Sequence, residues 1–153
     1  MIPLRHYPSL IVVVSLIGAS LCAAEPAPAA DSASINVWAI RATTKNKEIS
    51  PELKSIAGKL KKQFKYTGFK LERKSSGSAD LGKSFTATLI AGYSAKVTPK
   101  KRDGKRMQMQ VEVYKEKARK INVTVTVNAG QYQLLGGWKL SSTDALIVAV
   151  SAK

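Results

Sequence analysis

The sequence predicts an α+β fold, mainly antiparallel β, with one amphipathic helix over about residues 51–65 packed on a sheet of about six to eight strands. Three observations carry this. Only one stretch has a helical period: Leu53, Ile56, Ala57, Leu60 and Phe64 recur at spacings of three and four. Two long stretches alternate with period two, Met107-Met109-Val111-Val113 and Ile121-Val123-Val125-Val127, each interleaved with polar residues. Between them and the helix, Asp103-Gly104 is a strong short-range hairpin signal.

The elements follow in chain order. Ile35 to Thr43 alternates Ile35, Val37 and Ala39 with Asn36, Trp38 and Ile40, the pattern of a strand apolar on both faces. Ser50-Pro51-Glu52 starts the helix, with Ser50 as N-cap, proline at the first helical position and an acid in the first turn. Lys54, Lys59, Lys61 and Lys62 lie mainly off its apolar stripe. After Gly68, residues Phe69–Arg73 alternate as a strand, and Ser75-Ser76-Gly77-Ser78 reads as a loop. Ser84–Ile90 and Gly92–Val97 are strands, with Pro99 closing the second. The strands 107–113 and 121–127 each have one wet face. Gly130 suits a tight hairpin turn needing positive φ, and Gly136-Gly137 marks a bulge or a close backbone approach. Ala145 to Ala152 is a final, largely buried strand. Trp38 and Trp138 are expected to pack rather than to stack on a ligand.

The N-terminus carries an address. Arg5 and His6 precede an apolar run from Ser9 to Leu21, and Cys22-Ala23-Ala24 supplies small residues before Glu25. That is the pattern of a Sec-type signal peptide over residues 1–24, its apolar run short for a bilayer span of about 20 residues, with a retained membrane anchor or lipid attachment at Cys22 as the alternatives. Residues 25–34 contain Pro, Ala and Ser with no large apolar side chain, so a flexible linker is expected before a single β-rich domain over 35–153. Of 153 residues, 44% are apolar, enough for the core of one domain. The expected location is periplasmic, outer-membrane-associated or secreted.

Composition then removes most catalytic chemistry. The only histidine is His6 and the only cysteine Cys22, both within the signal. Cleavage takes away His and Cys nucleophile–base pairs, His/Cys zinc sites and disulfides together. The acids are scattered, no carboxylate dyad is spaced on an element, and no Ser-x-x-Lys sits on the helix. The expectation is a non-enzyme with no catalytic residue, metal site or cofactor.

One segment carries a likeness. Val123-Thr124-Val125-Thr126-Val127-Asn128-Ala129-Gly130-Gln131 leads to Leu134-Leu135-Gly136-Gly137 and then Ala145-Leu146-Ile147-Val148-Ala149-Val150. This resembles the core motif of secretins, the ring-forming outer-membrane channels of type II and III secretion and type IV pili. Upstream, Gly92 to Pro99 looks like the family's Val-Thr-Pro strand. The likeness covers residues 92–152. It implies a strand–turn–strand layout and envelope association, and it does not imply a pore, because the family's stacked ring domains and longer membrane-spanning hairpins have no counterpart here.

Charge supplies the remaining candidates. Twenty-five Lys and Arg against ten Asp and Glu give a formal net charge of +15. The densest cluster is Lys96, Lys100, Lys101, Arg102, Lys105 and Arg106, around the predicted 103–104 hairpin. Lys54, Lys59, Lys61, Lys62 and Lys65 form a second set. Such clusters suit an anionic polysaccharide or an anionic lipid surface. Nucleic acid fits less well, since the 96–106 cluster has no aromatic side chain for base stacking. The reading is an exported envelope protein that acts as a structural or assembly module, self-associating or joining an envelope protein through sheet edges. The alternative is a basic module binding an anionic polymer or anionic membrane surface.

Overall fold

A computed structural model describes residues 31–153, so the expected signal and residues 25–30 of the linker lie outside it. The strands are β1 (Ser32–Thr43), β2 (Gly68–Asp80), β3 (Phe85–Thr88), β4 (Tyr93–Asp103), β5 (Arg106–Lys115), β6 (Ala118–Asn128), β7 (Gln133–Lys139) and β8 (Asp144–Ala152). A 3-10 turn (Pro51–Leu53) and helix α1 (Ala57–Gln63) lie between β1 and β2. The fold is mostly antiparallel β with one α-helix. Its strands form two four-stranded sheets, ordered β2-β1-β8-β7 and β3-β4-β5-β6.

The expectation of one sheet is therefore corrected, and the reason is apolar area. β1 sends Ile35, Val37 and Ala39 to one face and Trp38, Ile40 and Ala42 to the other, all buried. β8 does the same with Leu146, Val148 and Val150 against Ile147 and Ala149. A strand apolar on both faces needs a layer on each side. One layer is the second sheet, whose Ala95, Val97, Met107, Met109, Val111 and Val113 meet the first face in one core cluster. The other is the segment of the 3-10 turn and helix, whose Leu53, Ile56 and Leu60 pack with Trp38, Ile40 and Phe69. A single eight-stranded sheet would leave the apolar faces of β4 and β5 in water.

The helix is shorter than its stripe. The 51–65 pattern becomes the 3-10 turn and a seven-residue helix. Gly58 weakens the first turn of α1, and Phe64 leaves it in extended geometry (φ −128°, ψ 134°). Ser50 makes no side-chain cap; its Oγ instead accepts the Leu71 N–H at 3.0 Å, tying the turn to β2.

Several boundaries move because strand pairing overrides local propensity. The expected linker reaches only to Asp31, since Ser32, Ala33 and Ser34 pair with Asp80, Ala79 and Ser78, and Ala33 is fully buried. Ser75–Ser78 is not a loop but the middle of β2, opposite Val37–Ser34. Gly77 has a reason to be small there: a Cβ would collide with the Phe85 ring that seats β3 against β2. Pro99 does not end β4. It precedes a bulge between Pro99 and Lys101, past the last β3 partner, Val97. No β3 residue stands opposite to receive an N–H there, so proline costs the ladder no hydrogen bond, while its carbonyl accepts the Gly82 N–H at 2.7 Å. A hairpin forms here as expected, but its two turn residues are Gly104 (φ 57°) and Lys105 rather than Asp103 and Gly104, and Asp103 pairs with Arg106 as the last residue of β4. Asn128–Gly130 turns with Gly130 at φ 81°, yet it is not a hairpin, because β6 and β7 belong to different sheets.

Gly136-Gly137 is both a bulge and a close approach. The register slips between Gly136 and Trp138 against β8, and a Cβ on Gly136 (φ 123°) would lie 2.7 Å from the Leu146 carbonyl oxygen and 2.8 Å from the Trp138 ring. Both strain and overlap oppose any side chain there. Gly136→Ala is expected to lower the unfolding free energy by about 2–4 kcal/mol in urea titration. Gly58→Ala, whose Cβ meets nothing within 4 Å, should instead raise it by up to about 1 kcal/mol.

Candidate functional site

The 96–106 cluster is the first candidate; Lys101 and Arg106 share the lining of a shallow hollow of about 250 Å³ with Asp103, Gln108 and Thr126, and three of the six charges meet acids. Lys96 lies on the outer side of the second sheet, where its Nζ is 3.8 Å from Glu112. Arg102 turns back on the N-terminus of β1, donating from Nη2 to the Ser32 carbonyl at 2.8 Å, with Nε 3.6 Å from Asp31. Arg106 donates to Asp103 at 3.2 Å. Half of the cluster is thus spent within the fold. Lys100, Lys101 and Lys105 have no ion pair among the described residues.

Glu112 explains one of those contacts. Only 8% exposed, it also accepts from the Tyr114 hydroxyl at 3.1 Å and from Arg119 Nη1 at 3.4 Å. A carboxylate so nearly buried is stable only with such partners.

The helix layer is the opposite case. Lys54, Lys59, Lys61, Lys62 and Lys65 are all exposed, and none makes an ion pair among the described residues. The apolar stripe below directs them outward. Glu52 is the lone acid in this segment. A shallow groove of about 310 Å³ lies beside them, walled by Lys59 and Lys62 and floored by Tyr132 and Leu134. Tyr132 stacks on Trp38 at 4.4 Å between ring centroids, and Lys74 Nζ sits 5.0 Å over the Trp38 ring. Trp38 packs as expected, 8% exposed.

A larger cleft, about 650 Å³, opens at the end of the first sheet, where Arg41, Lys45, Phe69, Lys70 and Asp144 line it. Arg41 is already committed, with Nε 2.8 Å from Glu72 and Nη1 3.4 Å from Asp144. The Glu72 bond leads the contacts that push its pKa up. Ser50, also in the wall, has its hydroxyl taken by Leu71 N–H. These groups hold the β1–β8 end together. Among the described residues no group of three His, Cys, Asp or Glu side chains could hold a metal ion, and no helix is long and apolar enough to cross a membrane.

The third candidate is backbone, which composition cannot show. Each sheet has two outer strands, and three of the four are guarded. β2 presents Lys70, Arg73 and Lys74; β3 is four residues long; β7 carries the Gly136–Trp138 bulge. β6 has no guard over Ile121–Asn128: no charge, no Pro, no Gly and no bulge. Its parity follows from one bond. Ala129 N–H donates to the Lys105 carbonyl at 2.7 Å, and Ala129 and Lys105 stand in register with Asn128 and Arg106 one step further out. Antiparallel alternation then turns the N–H and C=O groups of Ile121, Val123, Val125 and Val127 toward β5. Those of Asn122, Thr124 and Thr126 point out of the sheet edge. The inward row Ile121, Val123 and Val125 is only half-buried, because β6 overhangs the core. The alternating sequence disclosed the strand; only topology disclosed that it lies at an edge.

No protein-family model matches this chain, and no curated protein matches it.

The Asp144 carboxyl is held below the usual carboxylate range, first by the Thr43 hydroxyl and then by Thr143, Lys45 and Arg41, against the effect of desolvation. A depressed folded pKa adds stability that is present above the unfolded value of about 3.9 and is lost as pH falls through the folded one. Asp144→Asn should therefore be less stable than wild type at pH 7, and the gap should close on acidification below pH ~4 when melting temperatures are compared across pH.

Proposed function

We propose that this chain is an exported, non-enzymatic module of the cell envelope whose role is assembly, made through a sheet edge. The observation that carries the reading is β6, an outer strand whose Ile121–Asn128 stretch is uncharged and unguarded, beside three guarded ones. Outer strands with free N–H and C=O groups are templates for another strand. The secretin-like segment Val123–Gln131 falls on β6 and the turn after it, so the likeness and the open edge coincide. Export rests on the sequence of residues 1–24.

A second reading has its own observation. Five unpaired lysines on the helix layer, beside the Tyr132 groove, suit an anionic polymer or an anionic membrane surface. In this reading the contact surface is the helix layer more than the 96–106 hairpin, half of whose charges are already paired.

Thr124→Pro separates assembly from mere charge. The Thr124 N–H faces outward, so proline there leaves the β5–β6 ladder whole and removes only an edge donor. In the native host, wild type should sediment with the envelope and cross-link into species heavier than the monomer, while Thr124→Pro is recovered as monomer. Identical behaviour of the two, or a wild type retained inside the cytoplasm, overturns the assembly reading. For the second reading, changing Lys54, Lys59, Lys61, Lys62 and Lys65 to Gln should lower the salt needed for elution from heparin more than changing Lys100, Lys101 and Lys105. A loss that merely follows the number of charges removed refutes a localised surface.

A further inference from the structure

We infer that the edge of β6 takes β6 of a second copy of this chain, antiparallel and centred on Thr124 opposite Thr124, joining two four-stranded sheets into one of eight. The inference rests on the edge-pairing reading above and names its partner.

Backbone parity comes first. A two-fold axis at Thr124 sets Asn122 against Thr126 of the second copy, and Thr126 against its Asn122. These are the residues whose N–H and C=O groups face outward, so every pair at the centre exchanges two hydrogen bonds. An axis displaced by one residue, at Val123 or Val125, keeps the same parity but sets Val127 opposite Arg119 or Ile121 opposite Ala129, so only the axis at Thr124 pairs the apolar row Ile121–Val127 wholly with itself. An axis between residues would set outward groups against inward ones.

Side chains agree with the same register. On the core side, Val123 falls opposite Val125 and Ile121 opposite Val127. The half-buried row that overhangs the core in one copy is thereby covered by the same row in the other. On the outer side, Thr124 meets Thr124 and Asn122 meets Thr126, polar pairs suited to a wet face. Asn122 is already oriented there by Gln110, whose Nε2 donates to it at 2.9 Å.

Charge decides the direction. β6 begins with Arg119 and Lys120 and ends on Asn128 and Ala129. Arg119 is drawn onto Glu112, and Lys120 is the extra residue in the bulge opposite Val113 and Tyr114. The antiparallel arrangement sets Lys120 against Asn128 of the other copy. A parallel arrangement would stack Lys120 on Lys120 in a chain already at +15. An unrelated strand has no such built-in match of apolar row, outward groups and charged end.

The test uses the purified protein with Cys22→Ser, so that introduced cysteines are the only ones. Sedimentation velocity over a concentration series should show a monomer–dimer equilibrium for wild type. Thr124→Pro and Thr124→Lys should both be monomeric with melting temperatures near that of wild type, since neither touches the β5 ladder. Thr124→Cys should give a covalent dimer with a short bis-thiol reagent. Asn128→Cys should not, because in this register the two copies of residue 128 stand eight positions, about 27 Å, apart. A wild type monomeric up to about 1 mM overturns the inference. So does a dimer that survives Thr124→Pro, or one in which Asn128→Cys cross-links as well as Thr124→Cys. If the chain is monomeric yet Thr124→Pro still frees it from the envelope, the partner is another protein and the assembly reading stands. If neither changes, both fall.

Discussion

The antiparallel ladder of β1 with β8 is the constraint on which the remaining architecture depends. It runs from Ile35 opposite Ala152 to Thr43 opposite Asp144, joining the first and last strands of the domain. Nearly every side chain on it is buried, on both faces. Its backbone groups must therefore be satisfied by flanking strands, and its side chains by layers above and below. β2 and β7 supply the first, the helix and the second sheet the second. α1, with seven residues, is too short to persist alone and exists because Leu60 and Ile56 have Ile40, Phe69 and Ile147 to cover. The ion cluster of Arg41, Glu72 and Asp144 clamps the open end of this ladder, where the apolar cover stops.

The parts of the fold legible in the sequence are those where one residue's neighbour in space is set by its neighbour in chain. β5 and the helical stripe show their periods because burial follows the period, and β8 and the core of β1 show as apolar runs because both their faces are covered. What escaped was long-range. Ser75–Ser78 has the composition of a loop and becomes strand because Ala33–Val37 require a partner. Pro99 has the chemistry of a strand end and sits in β4 because β3 has already stopped there. Two sheets rather than one is likewise a property of the β6–β7 connection: Gly130 promises a turn, but nothing local says whether the chain returns to its own sheet or crosses to the other.

Charge was misleading for a related reason. Density along the chain picked out residues 96–106, yet the acids that neutralise Lys96 and Arg102 are Glu112 and Asp31, remote in sequence. The lysines around the helix look less dense, but a short helix over an apolar floor sends all of them to solvent, and among the described residues none of them makes an ion pair. What a partner can meet is the unpaired charge in space, and that quantity moves from the hairpin to the helix layer once the fold is known. Exposed pairs such as Arg106 with Asp103 contribute only about 0–1 kcal/mol to stability. Their consequence here is that they remove a charge from the surface, which matters more than what they add to the fold.

The candidate edge is subtler still, because it is made of groups every residue has. A strand carries two sets of backbone donors and acceptors. In β6 one set, at Ile121, Val123, Val125 and Val127, is committed to β5 and so to the fold; the other, at Asn122, Thr124 and Thr126, is held out to whatever lies beside it. The two sets also divide the side chains, apolar toward the core and polar toward water. Fold and edge chemistry are thus interleaved residue by residue and are separable by parity. A change at Val123 alters core cover and ladder together, whereas a change at Thr124 alters the edge alone. The same division explains how Ile121–Asn128 can stay regular without the charges or bulge that guard the other outer strands and that β6 itself carries only at its start. Its exposed side chains are polar, its apolar ones half-covered, and the +15 of the whole chain opposes close approach at random while a single antiparallel register keeps the charged ends apart.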